Sequence, residues 1–190
     1  QVRGIMQELH QELTARDLPH APPLPLGVMI ETPAAALICD ALARECDFFS
    51  IGTNDLIHYI MGIDRNNHHV AYLNEPLHPA VVRSLKHIID AAHREGIGVS
   101  VCGELASDPL GMALLLGMGV DTISAAPRFV PGLKHLIRQL KSETCMELAH
   151  SVLMSTDVAA SRRMVRETLH QTLGPELAFH TTSLLTHSQP

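Results

Sequence analysis

The chain has 190 residues and a mass of 20.7 kDa, enough to bury one substantial core. With 46% apolar residues, 18% charged residues and a formal net charge of −6, it is neither a disordered polyelectrolyte nor a collagen-like repeat. Four cysteines are too few for a disulfide scaffold. No apolar run approaches the ~20 residues that span a bilayer, and no secretory or transit signature opens the chain. A cytoplasmic, thiol-reduced protein with no membrane partner is therefore expected. The mildly acidic balance, pI ≈ 6.1 and no Lys/Arg cluster, argues against a nucleic-acid partner. The first residue is Gln1, so the sequence is read as a piece of a longer polypeptide.

Val2, Ile5, Met6, Leu9 and Leu13 follow the helical stripe and predict an amphipathic helix that stops before Pro19. Prolines 19, 22, 23 and 25 make an extended connector. The apolar run 26–30 then reads as a buried strand, closed by Glu31-Thr32-Pro33. Pro33 opens a helix expected to run to Glu45. A second strand, Phe48 to Ile51, closes on Gly52-Thr53-Asn54-Asp55, and a long unassigned stretch follows to Asn74. From Pro79 a helix presents Val81, Val82, Leu85, Ile88, Ile89 and Ala92 on one face, with Gly96 as its left-handed cap. Val99 to Val101 forms a third strand, closed by Cys102-Gly103-Glu104. Ser107 or Asp108 caps a helix from Pro109 to about Met118. Residues 122–124 read as a fourth strand and 131–141 as its helix. Beyond Asp157 the stripe Val158, Ser161, Met164, Val165 and Leu169 gives a last helix, and after Gly174-Pro175 a loose tail is expected.

Strands that alternate with helices make a parallel α/β sheet, and in such sheets functional groups gather at the carboxyl ends of the strands. Those ends carry Glu31, then Asn54 and Asp55, then Cys102 and Glu104, then Ser124. Glu31 and Asp55 are hard oxygen ligands of the kind Mg²⁺ takes from adjacent strands; equally, Glu31 could cap the helix at Pro33 and Asp55 a turn. Cys102 could be a packed thiol, like Cys39, Cys46 and Cys145, or a proton donor facing the carboxylates. The 13 histidines, His68-His69 and His78 among them, come with no Cys-x-x-Cys or His-Glu-x-x-His pattern and read as surface residues. His58 stands apart because it follows Asp55 and is a candidate to face the site. Asp47, Asp121 and Glu45 fall at the opposite strand ends or on helices and read as solvated.

Four linked motifs then resemble one family. They are Ile30-Glu31-Thr32-Pro33-Ala34-Ala35, the run Asp47 to Leu56, Asp64-Arg65, and Cys102-Gly103-Glu104-Leu105-Ala106. Together they are similar to the phosphoenolpyruvate-utilising enzymes. The run Cys102 to Ser124, with Leu114-Leu115-Leu116-Gly117-Met118-Gly119, is most similar to enzyme I of the bacterial sugar phosphotransferase system. The resemblance covers roughly residues 1–152. It implies a (β/α)₈ TIM barrel that binds phosphoenolpyruvate at its C-terminal face, of which this chain supplies about the last four βα units. Residues 153–190 would be an appended helix and polar tail. Glu31 and Asp55 match the family's Mg²⁺ ligands, Asn54 and Arg65 its phosphate-holding residues, with Asp55 beside the substrate as well, and Cys102 its proton donor to the enolate carbon.

The implied activity moves the phosphoryl group of phosphoenolpyruvate to a histidine in another domain, releasing pyruvate. A histidine-containing phosphocarrier protein then receives it for sugar uptake. The family also implies a homodimer formed through the barrel. Two residues depart from the family pattern: His58 replaces the usual Gln and Asn66 the usual Gly. A full barrel takes about 250 residues. The family's further arginines and its phosphorylated histidine fall outside the present sequence. The alternative reading is a non-catalytic half-barrel that binds a partner or oligomerises through open sheet edges.

Overall fold

The computed structural model describes residues 1–173 apart from Arg65, Asn66 and His68. Two site expectations, Arg65 and the Asn66 departure, therefore lie outside the described residues. So do His68 and the polar tail after Gly174. Helix α1 (Val2–Ala15) leads into strand β1 (Gly27–Ile30) and two short helices, α2 (Pro33–Leu37) and α3 (Cys39–Ala43). Strand β2 (Phe48–Gly52) feeds directly into α4 (Thr53–Met61), and a 3-10 turn at Ala71–Leu73 precedes α5 (Pro79–Arg94). Strand β3 (Gly98–Cys102) is followed by α6 (Glu104–Ser107) and α7 (Pro109–Met118). Strand β4 (Thr122–Ile123) precedes α8 (Val130–Ile137), α9 (Ser142–Met154) and α10 (Val158–Leu173). No helix among the described residues is long and apolar enough to cross a membrane.

The four strands lie in one sheet in the order β1-β2-β3-β4, every pair parallel. Ile30 pairs with Ile51, and Gly52 with Cys102. One face carries Ile30, Phe49, Ile51, Val99 and Val101, all at most 1% exposed, packed under the helices. The other face carries Met29, Phe48, Ser50, Ser100 and Cys102, which are exposed or half-buried. The runs 26–30 and Phe48–Ile51 read as buried strands, and the sheet buries one face of them; on the other face Ser50 and Ser100, paired across β2 and β3, are polar. This is the one-sided cover expected of part of a β/α barrel, whose inner face meets the remaining strands.

Helix α5 sits where its stripe predicts: Val81, Val82, Leu85, Ile88, Ile89 and Ala92 are all buried. Each large aliphatic there contributes roughly 1.5–3 kcal/mol of transfer free energy. Gly96 takes the left-handed conformation, φ +73°. Helix α7 is apolar almost all round and is buried accordingly, with Asp108 as its cap: Oδ1 accepts from Leu110 N–H at 2.7 Å and Gly111 N–H at 3.2 Å. Ser107 belongs instead to α6.

The structure corrects two expectations, the helix from Pro33 and the solvated Asp47 and Asp121, and adds detail to two others. The helix predicted from Pro33 to Glu45 is broken at Ile38 (φ −111°, ψ 20°); Ala36, Cys39 and Ala43 keep one buried face across the break, so periodicity reads through it. The unassigned stretch after β2 contains α4. Helix α1 forms, but none of its residues is buried: Val2, Ile5 and Leu9 are 57%, 49% and 54% exposed. Asp47 and Asp121 are exposed yet not merely solvated. Each reaches back one strand to accept a backbone N–H, from Leu26 at 2.7 Å and from Val99 at 2.8 Å, and these bonds hold both carboxyls below their ordinary value.

Candidate active site at the carboxyl ends of the strands

The site is built on one transverse row. Because Ile30 pairs with Ile51, Glu31 falls next to Gly52, and Gly52 pairs with Cys102. Neighbouring strands lie about 4.8 Å apart, so the carboxylate and the thiol flank a position that has no side chain. The missing Cβ matters: built on Gly52, it would lie 2.8 Å from Glu31 Oε2 and 3.0 Å from Glu31 Cβ. The Glu31 carboxylate thus occupies the space that any larger residue 52 would fill. It is not a helix cap, since Thr32 Oγ1 caps α2 by accepting from Ala35 N–H at 3.2 Å.

Gly52 is also the N-cap residue of α4 and gives it no side-chain cap. Asn54 and Asp55 follow in the first helical turn, beside the row, both half-buried. An acid there is favoured by the helix dipole, and first-turn N–H groups suit an anion. Asn54 Oδ1 accepts from Glu104 N–H at 2.9 Å, which leaves its amide N–H₂ as the group to meet an anion.

Thr53, unremarked in the sequence, is fully buried and donates its hydroxyl to the Cys102 carbonyl oxygen at 2.7 Å. Gly103 makes this junction: its φ of +103° lies in a region reserved for glycine, and a Cβ there would lie 2.3 Å from Thr53 Oγ1. The clue available was the placement of Thr53 and Gly103 immediately after strand ends.

Cys102 is half-buried at the end of β3, its Sγ donating to the Ile51 carbonyl oxygen at 3.5 Å. The other three cysteines are buried, and burial pushes each thiol pKa up. Only Cys102 is presented at the strand ends. His58 lies one turn along α4 from Asn54, half-buried, with its carbonyl oxygen accepting from Gly62 N–H at the end of the helix. His78 caps α5, its Nδ1 accepting from Ala80 N–H at 3.2 Å.

Among the described residues no three His, Cys, Asp or Glu side chains form a metal cluster. Mg²⁺ does not require one. It takes one or two protein carboxylates and completes its octahedron with water and substrate oxygens. Glu31, with its carboxylate in the Gly52 cradle, and Asp55 in the adjoining turn fit that donor set. Beside them a cleft of about 590 Å³ opens between the ends of β3 and β4, lined by Asn54, Ser107, Ser124, Arg128 and Phe129 among others. Ser124 is one of the strand-end residues evident from the sequence, whereas Ser107, Arg128 and Phe129 carry no sequence signal for the site.

A parallel βα sheet with two carboxylates, an amide and a thiol at the carboxyl ends of its strands defines an α/β protein whose candidate functional face is that end. The family model described as the PEP-binding domain of PEP-utilising enzymes matches residues 1–142, and the chain belongs to that family. It is 42% identical over 153 residues to the phosphoenolpyruvate-protein phosphotransferase of Bacillus sp. (strain S), covering 80% of this chain and 26% of the relative. The protein of the same name from Haemophilus influenzae is 39% identical over 169 residues, 89% of this chain and 29% of the relative. The multiphosphoryl transfer protein of Escherichia coli O6:H1 is 43% identical over 148 residues, 78% and 18%. The chain thus spans less than a third of the length of these relatives.

Proposed function

We propose that this chain is the substrate-binding part of a phosphoenolpyruvate–protein phosphotransferase: residues 1–152 the second half of a closed (β/α)₈ barrel, with residues 153–190 appended. The observation that carries the reading is the row Glu31–Gly52–Cys102, with Asn54 and Asp55 in the turn beside it. Glu31 and Asp55 would hold Mg²⁺, which when bound draws charge from the phosphate oxygens. Asn54 donates its amide N–H₂ to the phosphate and Arg65 pairs with it through its planar fork. These contacts support the phosphoryl group as its bond to the enolate oxygen breaks and a histidine nitrogen in another domain accepts it. The electron pair left on the enolate is quenched at carbon: Cys102 S–H gives its proton to the methylene carbon, forming pyruvate, and the thiolate regains a proton from solvent. The phosphohistidine then serves a histidine-containing phosphocarrier protein in a cytoplasmic, homodimeric enzyme of sugar uptake.

The test is Cys102→Ala in the full-length protein. Turnover of phosphoenolpyruvate is expected to be lost while Mg²⁺ binding persists; normal turnover would remove Cys102 from the mechanism. The uncovered apolar stripe of α1 favours a second reading, a non-catalytic module that docks a partner. That reading stands if the wild-type full-length protein transfers no phosphoryl group from phosphoenolpyruvate.

A further inference from the structure

The cleft beside the row contains a cation that the mechanism above leaves unused. Strand β4 ends at Ile123, yet Ser124 continues the ladder by donating its N–H to the Val101 carbonyl oxygen at 2.9 Å. Ala125 and Ala126 follow, and Pro127 starts a turn closed by Phe129 N–H on the Ala126 carbonyl oxygen at 2.9 Å. Proline presets the second position of such a turn. Arg128 takes the third position and is delivered to the wall of the cleft.

Its guanidinium carbon lies 4.6 Å from the centroid of the Phe129 ring. Contact with an aromatic face fixes a guanidinium while leaving its N–H edge available for hydrogen bonds. Among the described residues Arg128 forms no ion pair. Two acids also line the cleft. Asp108 is buried, with Oδ1 committed to the N–H groups of Leu110 and Gly111. Glu104 is exposed to water. Arg128 is the only cationic group among the described residues lining the cleft, and Gly103, Ala125 and Ala126 keep the space beside it open.

We propose that Arg128 binds the carboxylate of the phosphorylated acid whose phosphate Asn54 holds, which makes Arg128 a specificity-determining residue. This rests on the phosphoenolpyruvate reading and extends it. A substrate with both a phosphate and a carboxylate needs a separate donor for each, and the carboxylates of Glu31 and Asp55 supply none. Asn54 shares the cleft wall with Arg128, and a planar carboxylate meets a guanidinium through two parallel hydrogen bonds.

The experiment is calorimetric titration of the full-length protein with phosphoenolpyruvate, pyruvate and inorganic phosphate, each in the presence of Mg²⁺. Arg128→Ala should weaken phosphoenolpyruvate and pyruvate by about tenfold, the order of one charge-assisted pair, and leave inorganic phosphate unchanged. Arg128→Lys should recover part of the loss, because it keeps the charge without the fork. Unchanged phosphoenolpyruvate binding by Arg128→Ala, beside a wild type that binds, overturns this proposal alone. A loss confined to inorganic phosphate also overturns it. A wild type that binds neither phosphoenolpyruvate nor pyruvate overturns the underlying reading, and this proposal with it.

Discussion

Thr53 donates its hydroxyl to the carbonyl oxygen of Cys102 at 2.7 Å, from a side chain with no exposed surface. The bond ties the end of β3 to the first turn of α4. The thiol of Cys102 and the polar groups of Asn54 and Asp55 are therefore positioned by one junction rather than by two independent loops. Asn54 reinforces it from the other side by accepting from Glu104 N–H at 2.9 Å.

Thr53→Val keeps the shape and removes the donor, so the Cys102 carbonyl oxygen loses a partner inside the protein. The expected loss is about 1–3 kcal/mol of unfolding free energy, read from urea denaturation. Thr53→Ser should retain most of the stability. Equal stability of the Val and wild-type proteins would show that the hydroxyl bond contributes nothing net.

At Gly52 the backbone is ordinary, φ −85°, so Gly52→Ala introduces no backbone strain. Its methyl group would stand 2.8 Å from Glu31 Oε2, and the Glu31 side chain must swing off the row. The apparent Mg²⁺ affinity of the full-length protein should fall by about tenfold or more. An unaltered Mg²⁺ titration would separate the Glu31 carboxylate from any metal role.

Much of this was legible in the sequence because punctuation and pattern agreed. Each of the first three strands is a short, largely apolar run stopped by Gly or an acid, which put Glu31, Asn54, Asp55 and Cys102 at or just past strand ends. Asp108 before Pro109 marked its helix. Helix α4 was missed because Thr53 follows Gly52 without a linker, so Asn54 and Asp55 read as a turn rather than as a first helical turn. The one-sided cover of the sheet was hidden because strands of four or five residues hold too few positions to display alternation. Ser107 reads as a cap candidate and Arg128 follows Pro127 in a turn, and neither position carries a signal that points to the cleft.

Alkylation should separate the thiols. Cys39, Cys46 and Cys145 are buried, with pKa values raised by burial, so little reactive thiolate forms at neutral pH. Cys102 is half-buried at the end of β3. Limited treatment of the folded protein with iodoacetamide, followed by peptide mass analysis, should modify Cys102 first, and phosphoenolpyruvate with Mg²⁺ should slow that modification. Labelling of Cys39 or Cys145 ahead of Cys102 would contradict the burial pattern.

Acid should weaken the far end of the sheet through Asp121. Its Oδ2 accepts from Val99 N–H at 2.8 Å and contacts His93 Nε2 at 3.1 Å, and the Val99 bond is the main cause of its lowered pKa, His93 adding to it. A carboxyl whose folded pKa lies below its unfolded value of 3.8 stabilises the fold fully above 3.8. That contribution is lost as pH falls through the lower folded value. Asp121 is half exposed at its side chain, 51%, so solvent screening keeps the contribution below about 1 kcal/mol. In urea titrations from about pH 6 to about pH 3, the stability gap between the wild type and Asp121→Ala should narrow as acid is added. A gap that stays constant across that range would mean that the Val99 bond does not depend on the ionised carboxylate.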